Sequence, residues 1–198
     1  MSSSGTTARL AGVAALALLV AAAPQTAASA SITVVAQRDG DTIEIHASAA
    51  LKASAATAWS VLTDYGSYSR FIPDLRVSRV VARDGARVTV EQSGDCILWR
   101  FKVPIDVTFE IDEVPPTRLE SRAVRGSLRA LASSYVLTPI GSGVRLDYAG
   151  RIAPGFELLG QIEQTAVEEN IGLQFRALAE EIERRSVAGG EPATAEAH

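Results

Sequence analysis

An α+β fold, a curved antiparallel sheet wrapped around one long C-terminal helix, is predicted by three features of this sequence. Residues Ala55 to Phe71 carry the pattern of two short helices. From Trp99 to Asp112 apolar and polar residues alternate, as on a strand with one face toward a core and the other toward water. From Leu159 to Arg185 apolar residues recur at steps of three or four, which draws one stripe along a helix. A single helix laid across a curved sheet leaves a cavity between them, and such a cavity suits an apolar ligand.

The amino terminus precedes that fold. Arg9 stands before Leu10–Ala23, a run that is nearly all Ala, Leu and Val, and Ala28-Ser29-Ala30 follows with small residues. This is a secretory signal pattern with cleavage expected near Ala30, and its apolar run is shorter than the ~20 residues of a membrane-spanning helix. The expected organisation is a signal peptide over 1–30, one ligand-binding domain over 31–186, and a disordered tail over 187–198. The mature protein is expected to be exported, periplasmic or secreted.

The elements of the domain follow in order. Ser31–Gln37 and Thr42–Leu51 flank Arg38-Asp39-Gly40-Asp41, a turn with Asp-Gly at its centre. Ile43, Ile45 and Ala47 alternate with Glu44, His46 and Ser48, so the second segment opens as a strand with one apolar face. Ser54 is a good N-cap for a helix through Ala58, Trp59, Val61 and Leu62 that ends near Asp64-Tyr65-Gly66. A second short turn, Tyr68 to Phe71, stops before Pro73. Strands are expected over Val77–Ala82 and Arg87–Gln92, joined by Arg83-Asp84-Gly85 as a hairpin. Pro104 cannot donate to a ladder, which predicts a bend near Leu98–Val103 with Pro104 at an edge or bulge. Pro115-Pro116 interrupts the sheet, and Arg118–Val124, Leu128–Thr138 and Val144–Ile152 supply three more strands. The last helix presents Leu159, Ile162, Ala166, Val167, Ile171, Phe175, Leu178 and Ile182 on its apolar side. Glu180, Glu181, Glu183, Arg184 and Arg185 are expected on its outer end, and Gly189-Gly190 at its stop.

Composition narrows the chemistry. Apolar residues are 47% of the 198, ample for one core. The net charge is −4, and no basic stripe with interleaved aromatics is present, so nucleic acid is an unsuitable partner. Cys96 is the only cysteine, which excludes an internal disulfide and reads as a buried, inert thiol. His46 and His198 are the only histidines. One lies on the polar face of a strand and the other at the chain end, so neither suggests a catalytic base, and no ligand spacing suggests a metal. Glu110, Asp112 and Asp106 share the polar face of their strand, and Arg122 is expected to meet water. No glycine-rich phosphate loop is present. No catalytic residue and no cofactor is expected.

Two stretches carry a resemblance to a known group. Ala58-Trp59-Ser60-Val61-Leu62-Thr63-Asp64-Tyr65, followed by Phe71-Ile72-Pro73, resembles the helix-pair signature of the START-like (SRPBCC, helix-grip) superfamily, in the branch of coenzyme-Q-binding proteins and polyketide cyclase/dehydrase homologues. Arg151-Ile152-Ala153-Pro154-Gly155-Phe156 is similar to the same branch, and the likeness extends over about Thr42 to Arg185. It implies the helix-grip fold and a cavity for an apolar ligand. Members bind sterols, phospholipids, quinones, polyketides or plant hormones, and a minority catalyse cyclisation or dehydration. An export signal departs from most polyketide cyclases, whose substrates are made in the cytoplasm.

The expected function is an exported carrier or sensor of a lipid, an isoprenoid quinone or an aromatic natural product, with membrane contact only for ligand exchange. The alternatives are a cyclase, aromatase or dehydratase acting in the same cavity, or a partner-binding module whose cavity is filled. Tyr65, Phe71 and Ile72 are expected at the mouth, with Trp99, Phe101, Tyr135 and Tyr148 from strands. Phe156, Leu159 and Ile162 are expected from the closing helix and its approach, and Ile162→Trp is expected to fill the space. A tyrosine facing inward can orient a ligand carbonyl through its hydroxyl.

Overall fold

A computed structural model describes residues 31–98, 101–154 and 161–189. The proposed signal peptide (1–30) and the end of the proposed tail (190–198) lie outside the described residues. Eight strands form one antiparallel sheet: β1 (Ile32–Asp39), β2 (Thr42–Leu51), β3 (Leu75–Asp84), β4 (Arg87–Leu98), β5 (Phe101–Val114), β6 (Arg118–Gly126), β7 (Leu128–Ile140) and β8 (Gly143–Pro154). Their order across the sheet is β1-β2-β8-β7-β6-β5-β4-β3. Between β2 and β3 come α1 (Ala55–Leu62) and a 3-10 turn (Tyr65–Arg70), and α2 (Gln161–Gly189) closes the fold.

Period-two patterning sets which face is core. On β2, Ile43, Ile45, Ala47, Ala49 and Leu51 are buried, whereas Glu44, His46 and Ser48 point to the other face. Val144, Leu146, Tyr148 and Ile152 do the same on β8. Registers Ile43↔Ile152 and Ala47↔Tyr148 bring the two inward rows side by side. On β5, Val107 and Ile111 are buried, and the polar even-numbered residues pair outward: Arg87 donates to Asp112 at 2.7 Å, and Arg122 is bound to Glu110. The other face of the sheet is thus tiled with paired charges.

The helices cap the inner face. Ser54 accepts a hydrogen bond from the Thr57 N–H at 3.0 Å and so starts α1, a cap that contributes about 1 kcal/mol. On α2, Phe175, Leu178, Ala179 and Ile182 are almost fully buried, and burial of each large apolar side chain contributes about 1.5–3 kcal/mol. Three side chains pin α2 to strand backbone or its continuation. Gln164 donates to Ala36 O at 2.9 Å, Asn170 donates to Ile97 O at 2.8 Å, and Glu183 accepts from the Lys52 N–H at 3.1 Å.

Several expectations are corrected. The segment Ser31–Gln37, to which the sequence pattern gives no assignment, belongs from Ile32 onward to a full strand, β1, paired with β2 from Ile32↔Ala49 to Asp39↔Thr42. The second of them is a 3-10 turn that begins at Tyr65. β3, β4 and β7 run longer than expected because cross-strand pairing continues through weakly patterned residues such as Ser93-Gly94-Asp95. Pro104 falls where β5 has β4 on one side only, since pairing with β6 begins at Val107↔Gly126. Gly126 ends β6 at φ +121°, and a Cβ there would collide with Asp106 O, a conformation and an approach that need glycine. Glu181, expected on the outside of α2, is only 8% exposed. Arg184 and Arg185 each donate to it, at 2.6 and 2.7 Å, which makes burial of the carboxylate tolerable. α2 runs to Gly189, at the Gly189-Gly190 stop expected for it.

Candidate functional site

Between the inner face of the sheet and α2 lies a cavity of about 230 Å³, open at one end. Its floor is aliphatic: Val107 and Ile111 from β5, Leu119 from β6, Leu131 from β7 and Ile152 from β8. α2 roofs it with Val167, Ile171 and Leu178, and the 3-10 turn closes a side with Tyr65 and Tyr68. Asp74, Asp95, Cys96 and Gln174 line it toward the surface. Two further hollows are shallow polar grooves on the surface, one between the 3-10 turn and the end of α2, the other on the outer face of the sheet.

The polar groups on the wall are mostly consumed by one another. Tyr65 on the 3-10 turn donates to Glu113 Oε1 at 3.0 Å, and Arg83 donates to Glu113 Oε2 at 3.1 Å. Glu113 continues the inward odd-numbered phase of β5, which places a carboxylate beneath Tyr65. Tyr68 donates to Leu62 O at 2.6 Å. Ser121 and Ser133 share a hydrogen bond of 2.7 Å across β6 and β7, and the Tyr148 hydroxyl lies beside Ser133. Tyr148 leans along β8 over Gly150, where a Cβ would collide with its hydroxyl. The rings of Tyr135 and Tyr148, directly opposed in register, lie 4.9 Å apart and tilted by 50°.

Burial governs the titration of these groups. It pushes the Tyr148 hydroxyl up to about 12, with neighbouring Ser133 opposing. Burial likewise raises Tyr65, Tyr68 and Tyr135 well above the ordinary phenol range, and Glu113 beside Tyr65 adds to the first of these. It also lifts the Cys96 thiol to about 11. Each hydroxyl therefore keeps its proton at neutral pH.

The structure brings Tyr65, Ile72, Tyr135 and Tyr148 together around this one cavity. Phe71 is not among its lining. The ring of Phe71 packs edge-on against Tyr68 at 5.7 Å and borders the surface groove next to Arg184, because the turn that points Ile72 inward points its neighbour away. Trp99, Phe156 and Leu159 lie outside the described residues, as do the side chains of Phe101 and Ile162. Asn170, Glu113, Ser121 and Ser133 were not anticipated. The two serines and Glu113 had a signal, since each stands at a position where strand alternation demands an apolar residue. His46 is exposed on the outer face. Among the described residues no group of three or more His, Cys, Asp or Glu is arranged to hold a metal, and no described helix is long and apolar enough to cross a membrane.

Comparison with known proteins adds the following. The family model described as polyketide cyclase / dehydrase and lipid transport matches residues 42–186. No curated protein matches the chain. Among solved structures, the fold is similar to that of the Zhui aromatase/cyclase from Streptomyces sp. R1128, with 15% identity, TM-score 0.65, and 75% of this chain and 98% of that one covered. It is also similar to a STAR-related lipid transfer protein from Xanthomonas axonopodis, with 17% identity, TM-score 0.64, and 79% and 94% covered. A START superfamily protein from Mycobacterium smegmatis shares the fold at 14% identity and TM-score 0.58, with 73% and 97% covered.

Proposed function

The chain belongs to the polyketide cyclase / dehydrase and lipid transport family, and from that premise we propose that it is an exported binding protein, a carrier or sensor, for a hydrophobic small molecule. Family and fold together suggest either hydrophobic ligand binding or cyclase/aromatase chemistry. The observation that favours binding is the cavity itself: an aliphatic floor and roof enclosing about 230 Å³, with its hydroxyls largely engaged in holding the walls. Transfer of an apolar ligand into it is driven by about 25 cal/mol per Å² of apolar surface removed from water. Tyr65, Ile72, Tyr135 and Tyr148 are its proposed contacts. Trp99, Phe101, Phe156, Leu159 and Ile162 are proposed to complete the ends. Arg9, the apolar run Leu10–Ala23 and Ala28-Ser29-Ala30 support export.

The cyclase reading is favoured by the likeness in fold to the Zhui aromatase/cyclase. It needs a group that exchanges a proton inside the cavity near neutral pH, and burial holds the tyrosine hydroxyls there far from that range.

Native mass spectrometry of the protein purified from its exported compartment, followed by organic extraction, tests the proposal. A stoichiometric lipid, quinone or aromatic compound is the expected result. An empty protein that also refuses lipid and quinone libraries would sink it.

A further inference from the structure

Of the four tyrosine hydroxyls on the cavity wall, two are spoken for by Glu113 and Leu62, and that of Tyr148 lies beside Ser133. Tyr135 is the exception: its hydroxyl has no hydrogen-bond partner among the described residues. Its side chain is half-buried and lines the cavity. A hydroxyl on a cavity wall that no protein group engages hydrogen-bonds to whatever fills the cavity, water or ligand.

Charge and size narrow that ligand further. No Lys, Arg or His lines the cavity among the described residues, and its two carboxylates, Asp74 and Asp95, are already paired with Lys102 and Arg76. An anion entering would shed its hydration with no cation to replace it. For size, an apolar cavity of ~150 Å³ accepts benzene, so about 230 Å³ takes one ring with a few further heavy atoms.

We infer that the cavity selects an uncharged ligand portion of about one ring that presents a hydrogen-bond acceptor, such as a ketone, quinone or lactone carbonyl, to the Tyr135 hydroxyl. This rests on the binding function proposed above for the same cavity and names its chemical preference. Tyr135 is then the specificity-determining residue. Its hydroxyl is a donor because burial keeps it protonated, and its tilt against Tyr148 at 4.9 Å fixes the direction of the donor.

The test uses three ring-matched probes on the purified protein, with affinities from titration calorimetry or ligand-observed NMR: acetophenone, ethylbenzene and benzoate. Acetophenone is expected to bind roughly 3–10-fold more tightly than ethylbenzene, the size of one net hydrogen bond, and benzoate at least about 10-fold more weakly than acetophenone. Tyr135→Phe is expected to reduce acetophenone to the affinity of ethylbenzene, leave ethylbenzene unchanged and keep the melting temperature, because the hydroxyl removed has no protein partner. Tyr68→Phe, which breaks the bond to Leu62 O, is expected to lower the melting temperature and preserve the acetophenone-to-ethylbenzene ratio. Equal wild-type affinities for acetophenone and ethylbenzene would overturn the inference without recourse to any variant. So would benzoate binding as tightly as acetophenone, or a ratio that Tyr135→Phe leaves intact. Failure of all three probes to bind is a different result: it removes the binding function on which the inference rests, and the inference with it.

Discussion

Asn170 on α2 holds the backbone of Ile97 in both directions, donating to its carbonyl at 2.8 Å and accepting from its N–H at 3.2 Å. The same side-chain nitrogen also reaches Ala166 O at 2.7 Å. β3 ends its pairing with β4 at Leu75↔Gly94, so Ile97 lies on an uncovered edge of β4. One carboxamide there does the work of a neighbouring strand. Asn170→Ala is expected to destabilise the protein by about 1–3 kcal/mol, since it strands both polar groups of Ile97. Amide hydrogen exchange supplies the local check: the Ile97 N–H should exchange much faster, and unchanged protection there would refute the role.

Gly150 and Tyr148 share the inner face of β8, and the tyrosine hydroxyl occupies the space a Cβ at position 150 would need. Gly150→Ala is expected to displace that ring and cost about 1–3 kcal/mol, as overpacking does. Urea unfolding of Gly150→Ala beside Gly150→Ala/Tyr148→Phe measures it. The second substitution should recover part of the loss, because it removes the atom closest to the new methyl group.

Cys96 lines the surface end of the cavity with a thiol raised by burial to about 11. Its alkylation by iodoacetamide is expected to be slow at pH 7.5 and to accelerate about tenfold per unit toward pH 11, following the thiolate fraction. A ligand seated in the cavity should slow it further. Mass-spectrometric labelling rates with and without ligand decide this, and identical rates would remove Cys96 from the path into the cavity.

Glu181 gives a prediction in pH. Its carboxyl is held down from 4.5 to about 2, chiefly by the hydrogen bond from Arg184, then by that from Arg185. The native state therefore binds its proton later than the unfolded chain does. The stabilisation is complete above about pH 5 and lost as pH falls from there through about 2. Arg184 is well exposed, so solvent screening trims the contribution to about 1–2 kcal/mol. Glu181→Gln should be less stable than the wild type by that amount at pH 7, and the gap should close between pH 5 and 2. A gap that persists at pH 2 would show that packing, not charge, is responsible.

The outlines of this fold were legible because strand alternation and helix periodicity report directly on which side of an element is wet. That is why Tyr135 and Tyr148 were placed inward and Glu110, Asp112 and Arg122 outward. Phe71 and Ile72 show the limit. In a turn the side-chain direction follows local dihedral angles, which no period encodes, and only Ile72 faces the cavity. Glu181 shows another: its burial depends on Arg184 and Arg185 wrapping back one turn to neutralise it, a tertiary arrangement indistinguishable in sequence from a solvated charge run. Asn170 sits at the border of the apolar stripe between Glu169 and Ile171, and its purpose exists only once the register of β4 leaves Ile97 uncovered. Ser121, Ser133 and Glu113 were readable as polar residues in apolar phase.

The pairing of Ile43 with Ile152 joins the start of the domain to its last strand. Contacts so distant along the chain form late, because the intervening loop must be closed before they repay its entropy. The cavity floor takes Ile152 from that strand and its roof comes wholly from α2, so no partial chain ending before β8 has a cavity at all. Ligand capture is therefore a property of the finished molecule, and a nascent or truncated chain offers the ligand only a sheet with one face bare.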